Sequence, residues 1–177
     1  MRQNSHGSAL LLARDTPHLL ESSFTETIHL PENSERPLLT GKFSWDEKSL
    51  QLLSLHLTRP RSQATSAFQR QELATVAQWS QAIQAQGRQV VIIGDFNSTP
   101  WTRTFQSFLQ QGHLVNSQQG YGAQSTWPAA WPSALRIAID HCLHSDGLLT
   151  LSRSIGPPLD SDHRPLIVEL QLLSEAD

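Results

Sequence analysis

A strand, helix, strand passage between residues 48 and 93 constrains this chain more than any other stretch. Residues 48–60, KSLQLLSLHLTRP, alternate cleanly: Leu53, Leu55 and Leu57 point one way, Leu52, Ser54 and His56 the other. That pattern is a half-buried strand, with His56 on its second face near the end. Residues 65–87 carry Leu73, Val76, Trp79 and Ile83 at spacings of three and four, the period of an amphipathic helix, with Gly87 as its stop. Residues 89–93 then give an apolar run of strand length, and Gly94-Asp95-Phe96-Asn97 follows. An acid and an amide therefore stand at the end of a strand that reads as buried.

The flanks add strands and one more helix. Residues 8–13 read as a short buried strand. Residues 22–30 read as another, with Phe24, Ile28 and Leu30 on one face, and 31–37 as a loop. Thr99-Pro100 reads as a helix cap followed by proline in the first turn, with Trp101, Phe105, Phe108 and Leu109 as the buried stripe. Residues 116–124 are loop. Residues 134–143 alternate as a strand, placing Ile137, Ile139 and His141 on one face and Arg136, Ala138, Asp140 and Cys142 on the other. Residues 149–153 and 164–173 close the chain as strands. Antiparallel pairs mixed with one helical crossover favour an α+β sandwich of mixed sheets over a doubly wound parallel sheet.

Composition narrows the function. At 177 residues the chain can bury a full core as one domain, spanning 1–177. A formal charge of −3 gives no broad attraction for a phosphate backbone, so an anionic substrate must be held by local groups or a metal ion. The single cysteine, Cys142, excludes an intrachain disulfide and a cysteine-based zinc site, which fits a reducing compartment. No apolar stretch approaches a membrane span, and the N-terminus lacks a secretory pattern.

Asp95, Asn97, Asp140, Asp162 and His163 all fall at or just past strand ends, and His56 lies close to one. Strand ends at one sheet edge can converge across long sequence separations. Oxygen donors from Asp and Asn suit Mg²⁺ or Mn²⁺. A histidine beside such a cation can move a proton or steady an oxyanion, and an acid bonded to that histidine fixes its tautomer. The combination points to metal-assisted phosphoester hydrolysis. Taken singly, each residue has a plainer reading. Gly94–Asn97 can be a tight turn, Ser161-Asp162-His163 a cap, His56 a satisfied strand histidine, and Asp140-His141 a polar pair. The case rests on their conjunction. His6, His18, His29, His113, His141 and His144 read as structural. A histidine-rich zinc site is disfavoured because no His-x₃-His pair occurs.

The motifs LSLHL, VVIIGDFNSTP, IAIDHCL and DSDHRPLIVEL, in that order, resemble the endonuclease/exonuclease/phosphatase superfamily. STWPAAWP and GDFNSTPW resemble its bacterial subgroup, in which the catalytic domain often follows N-terminal membrane helices. The resemblance implies a DNase I-like α/β sandwich of mixed, mostly antiparallel sheets flanked by helices. It also implies a Mg²⁺ or Mn²⁺ cofactor and a phosphate-ester substrate: nucleic acid, a lipid headgroup or a small phosphodiester.

It further implies roles residue by residue. Asp95 orients or deprotonates the attacking water, and Asn97 holds the phosphate or that aspartate. Asp162 joins the metal site. His163 contacts the scissile phosphate and assists proton transfer, with Asp140 behind it. His56 steadies charge on the phosphoryl oxygens. The implied metal set is Asp95, Asn97, Asp162 and His163.

One departure stands out. The superfamily opens with an Asn-bearing strand and a strand ending in Gln-Glu, whose glutamate is a principal metal ligand. These should precede the segment resembled by HGSALLLARDTP, which begins here at residue 6 with no Gln-Glu ending an apolar run before it, and Gln71-Glu72 lies inside the helix. The resemblance therefore implies an N-terminally truncated domain, covering about the last two-thirds, with impaired metal binding. A homodimer covering the truncated sheet edge is a further expectation. The competing reading is a non-catalytic partial domain with a binding or assembly role. Trp127 and Trp131 could stack on a base or line a lipid-facing rim, although tryptophans beside prolines are more often packing.

Overall fold

The computed structural model describes residues 24–45 and 48–173. The strand expected over 8–13 lies outside them. In chain order the elements are β1 (Phe24–Ile28), β2 (Leu38–Trp45), β3 (Lys48–His56), α1 (Gln63–Gln84), β4 (Gln89–Asp95) and α2 (Arg103–Gly112). They continue with β5 (Val115–Asn116), β6 (Asp140–His144), β7 (Leu148–Ile155) and β8 (Leu166–Leu172). Six strands form one mixed sheet in the order β1-β2-β3-β4-β6-β5, and β7 pairs with β8 in a second. Among the described residues only β3 and β4, joined through α1, run parallel; the other pairs are antiparallel. This is the expected α+β arrangement of mixed, mostly antiparallel sheets with two helices.

β4 explains its own composition. Val90 and Ile92 face a core built with Leu53, Leu55 and Leu57 of β3 and the adjoining turn, Leu73 and Val76 of α1, and Phe105 and Phe108 of α2. Val91 and Ile93 face the opposite layer, with Cys142, Leu148 and the inward residues of β8. A strand covered on both faces reads as a continuous apolar run rather than an alternation. β3 has its leucine face fully buried, which is why it alternates. Truncating one of these buried leucines costs about 2–5 kcal/mol.

α1 starts where its cap dictates. Ser62 Oγ accepts from the amide of Thr65, and Thr65 Oγ1 accepts from the amide of Ser62. The structure departs from the sequence reading at five points. The second helix is capped by Thr102, whose hydroxyl accepts from the Phe105 amide, and not by Thr99. Trp101 therefore precedes the helix and is 66 % exposed instead of joining its buried stripe. The expected strand over 134–143 begins only at Asp140, because Ser133–Leu135 forms a 3₁₀ turn. β2 occupies residues left without an assignment, and β5 lies at the edge of the expected 116–124 loop.

Candidate active site at the ends of three strands

Register alone assembles the first three residues. His56, the last residue of β3, lies directly across from Asp95, the last of β4. Asp95 in turn lies across from Asp140, the first of β6. The row His56, Asp95, Asp140 thus crosses three neighbouring strands. His56 Nε2 is 3.4 Å from Asp95 Oδ2.

The turn after β4 holds Asp95 in place. Gly94 has φ 145°, and a Cβ there would sit 1.9 Å from the Leu55 carbonyl oxygen, so only glycine fits. Asn97 adopts φ 47°, a left-handed conformation that asparagine tolerates well. Its amide donates to Asp95 Oδ1 at 2.7 Å. Its Nδ2 donates to the Leu57 carbonyl at 3.0 Å and to Asp95 Oδ2 at 3.2 Å. Phe96 between them is fully buried against Phe105 and the His141 ring. The buried Phe anchors the turn, and Asn97 aims the acid.

His163 arrives from the loop before β8. Its Nδ1–H donates to Asp140 Oδ2 at 2.8 Å, and its Nε2 faces Asp95 Oδ2 at 4.0 Å. Asp140 Oδ2 also accepts from the Thr126 hydroxyl. The second ring nitrogen of His163 is therefore left pointing at the cleft. Asp162 stands at the rim, where Trp127 Nε1 donates to its Oδ2 at 3.3 Å.

Electrostatics follow from burial and neighbours. Burial raises the Asp95 carboxyl from 3.8 to about 6; the charge on Asp140 adds to the rise, and the Asn97 amide, His163 and Arg59 oppose it. His163 is raised above its ordinary value, first by its hydrogen bond to Asp140 and then by the charges of Asp140, Asp95 and Asp162, against burial. A carboxylate lifted to about 6 beside an imidazole biased toward its charged form is a pairing suited to proton transfer.

One oxygen each from Asp95 and Asp140 and one nitrogen from His163 lie within 4.8 Å of one another, a grouping able to hold a metal ion. Hard carboxylate oxygens fit Mg²⁺ or Mn²⁺, which retain several waters. Asp95 and His163 of the metal set implied by the sequence belong to this grouping, and Asp140 joins them. Asn97 donates its Nδ2 to Leu57 and Asp95, bonds that do not use its Oδ1, and Asp162 accepts from Trp127 through Oδ2.

The cleft over this row has a volume of about 540 Å³. Its lining includes His56, Asp95, Asn97, Asp162 and His163, so the structure brings these to one rim, with Asp140 immediately behind. It also includes Arg36, Arg59 and Arg61, which the sequence reading did not single out. Arg59 and Arg61 flank the proline that ends the β3 motif, a visible but unspecific signal. Trp127 lines the same cleft beneath Arg59, whereas Trp131 is 55 % exposed. Among the other histidines, His141 is fully buried with Nε2–H donating to the Ser98 carbonyl at 2.9 Å, and burial lowers it to about 4. His144 is likewise buried and bonded to Ser145 and Thr150.

An endonuclease/exonuclease/phosphatase from Beutenbergia cavernae aligns with TM-score 0.67 and 18 % identity over 88 % of this chain and 46 % of that one. One from Bacteroides vulgatus gives 0.65 and 17 % over 87 % and 66 %. The human Nocturnin catalytic domain, solved with a bound sulfate anion, gives 0.62 and 15 % over 86 % and 59 %. At such identities the likeness concerns the fold, and this chain spans about half to two-thirds of these structures. No curated protein matches the sequence. The family model described as Endonuclease/Exonuclease/phosphatase family matches residues 1–163, and the chain belongs to that family.

Proposed function

We propose that this chain carries the histidine-aspartate half of a divalent-metal-dependent phosphoester hydrolase site within a single domain. What supports the reading is the row His56, Asp95, Asp140, with His163 bonded to Asp140 and turned toward Asp95. Asp95 and Asp140, with Asp162 at the same cleft, would hold a divalent cation, which would supply charge neutralisation at the phosphoryl oxygens.

The chain's own residues do the rest. Asp95, aimed by Asn97, accepts a proton from water as the water oxygen bonds to phosphorus. The ester P–O bond breaks, and the leaving oxygen takes the Nε2 proton of His163, whose imidazolium Asp140 favours. His56 donates toward a phosphoryl oxygen. Substrates are phosphoesters; nuclease, phosphodiesterase and phosphatase activities remain finer options within that class.

Turnover is weak in this reading. The close metal grouping among the described residues offers two carboxylates, and Asp140 is already engaged by His163 and Thr126. The same observation favours a second reading, a binding or assembly role without catalysis. Self-association through the β7–β8 sheet accompanies either reading: its strands have no further strand partner among the described residues, and Leu149 and Ile167 on them are about half exposed.

The test is hydrolysis of bis(p-nitrophenyl) phosphate with millimolar Mg²⁺ or Mn²⁺. Metal-dependent turnover reduced at least about 100-fold by Asp95→Asn and by His163→Ala supports the hydrolase. Turnover indifferent to chelator or to both variants rejects it, and complete absence of turnover favours the binding role.

A further inference from the structure

The acids and histidines occupy only part of their cleft. A volume of about 540 Å³ lies in the range that encloses a whole small ligand, not a single phosphoryl group. Much of the remaining wall is cationic. Three guanidiniums line it against two carboxylates, Asp95 and Asp162, in a chain whose formal charge is −3. With Asp140 immediately behind, three guanidiniums stand with three carboxylates, so the cleft offers separate cationic forks beside its acids instead of a net positive charge.

The three arginines arrive from two segments. Arg36 precedes β2, and its Nη1 donates to the His56 and Leu57 carbonyls at 3.4 and 3.1 Å, fixing it behind the end of β3. Arg59 and Arg61 lie between β3 and α1. The Arg59 guanidinium sits 5.0 Å from the centroid of the Trp127 ring, and Trp127 itself is bonded to Asp162. Arg61 is exposed, and its backbone amide donates to Thr65 Oγ1.

The segment carrying these two arginines is tied down. The amide and hydroxyl of Thr58 both donate to the Glu72 carboxylate, a residue 1 % exposed on α1. A guanidinium presents paired N–H groups that match phosphate oxygens. One diester phosphate carries one charge and leaves two such forks unused.

We propose that Arg59 and Arg61, backed by Arg36, form a second phosphate subsite beside the hydrolytic centre. The substrate class is then a phosphoester bearing a further phosphate one linkage from the scissile group. The word substrate rests on the hydrolase reading above; the anion subsite does not need turnover.

Calorimetry on the intact chain, at low ionic strength in EDTA, compares inorganic pyrophosphate with inorganic phosphate. Pyrophosphate is expected to bind at least about tenfold more tightly, as an added charge-assisted pair implies. Arg59→Ala and Arg61→Ala each cut that preference at least about threefold, and the double variant removes it. Arg61 is exposed, so its variant keeps the fold even if Arg59→Ala does not. Equal binding of the two anions, or a preference that survives the double variant, overturns the subsite.

Adenosine diphosphate and a 5′-phosphorylated dinucleotide then compete against adenosine monophosphate. Tighter competition by either supports the subsite and identifies an anhydride or ester linkage; no advantage for either overturns it. Failure of the two readings is distinguishable. Absent hydrolysis with the pyrophosphate preference intact removes the hydrolase and keeps the subsite. Hydrolysis without the preference does the reverse.

Discussion

Asp95→Asn should stabilise the metal-free protein, and by an amount that grows with pH. The Asp95 side chain is only 14 % exposed, and burial is the leading cause that lifts its carboxyl from 3.8 to about 6. Sign follows from linkage. The folded state holds this proton more tightly than the unfolded chain, so ionisation costs stability as pH climbs from the unfolded value through about 6. The rise corresponds to roughly 3 kcal/mol at full development, and solvent at the cleft mouth reduces it to about 1–3 kcal/mol.

Asparagine keeps an acceptor for the Asn97 amide but carries no charge to desolvate. It gives up the bond from Asn97 Nδ2 and the charge contacts of Oδ2 with His56 and His163, which lie at 3.4 and 4.0 Å. Urea unfolding of wild type and variant in EDTA at pH 4.5 and pH 8 measures the difference. A variant lead of at least about 1 kcal/mol at pH 8, shrinking to roughly a third of its pH 8 size at pH 4.5, is the expected result. A variant less stable at pH 8, or a gap that ignores pH, refutes the reasoning that Asp95 is held ionised at a cost. Such a cost at a functional carboxylate is the common trade between activity and stability.

Two further outcomes follow. Gly94→Ala forces a Cβ against the Leu55 carbonyl at a φ of 145°; urea unfolding should show a loss of about 3 kcal/mol or more, or no folded protein. Asp140→Asn removes the chief cause of the raised His163 value, so NMR titration should move His163 down toward 6.5. The stability that His163 lends in the wild type is full below 6.5 and lost as pH rises through its raised value, so the variant also flattens that part of the stability profile.

Much of this was legible in sequence where one periodicity ruled. β3 has one fully buried face, α1 a single buried stripe, and β4 two buried faces; each left its own signature. β2 escaped because its burial changes parity. Leu38 and Thr40 are buried on one phase, Gly41 and Phe43 on the other, and the Phe43 ring covers Gly41. Trp101 was misplaced because its spacing to Phe105 and Phe108 continues the helical pattern one residue beyond the actual cap, Thr102.

At the site, His56, Asp95, Asn97, Asp140, Asp162 and His163 could be nominated because each is chemically distinctive beside a strand. Their mutual geometry could not be nominated so directly. Asp140 and His163 meet across 23 positions only because β6 and the loop before β8 converge. Arg36, Arg59 and Arg61 look like ordinary surface residues until the topology folds two loops over one cleft.

The central claim is that these strand ends form one cation-assisted phosphoryl site, and Mn²⁺ locates it directly. In a Mn²⁺ titration followed through the histidine ring signals by NMR, His163 and His56 should broaden first, at millimolar metal, with His29 and His113 spared, and Asp95→Asn should suppress the effect. Broadening that begins at His29 or His113, or that is untouched by Asp95→Asn, contradicts the account.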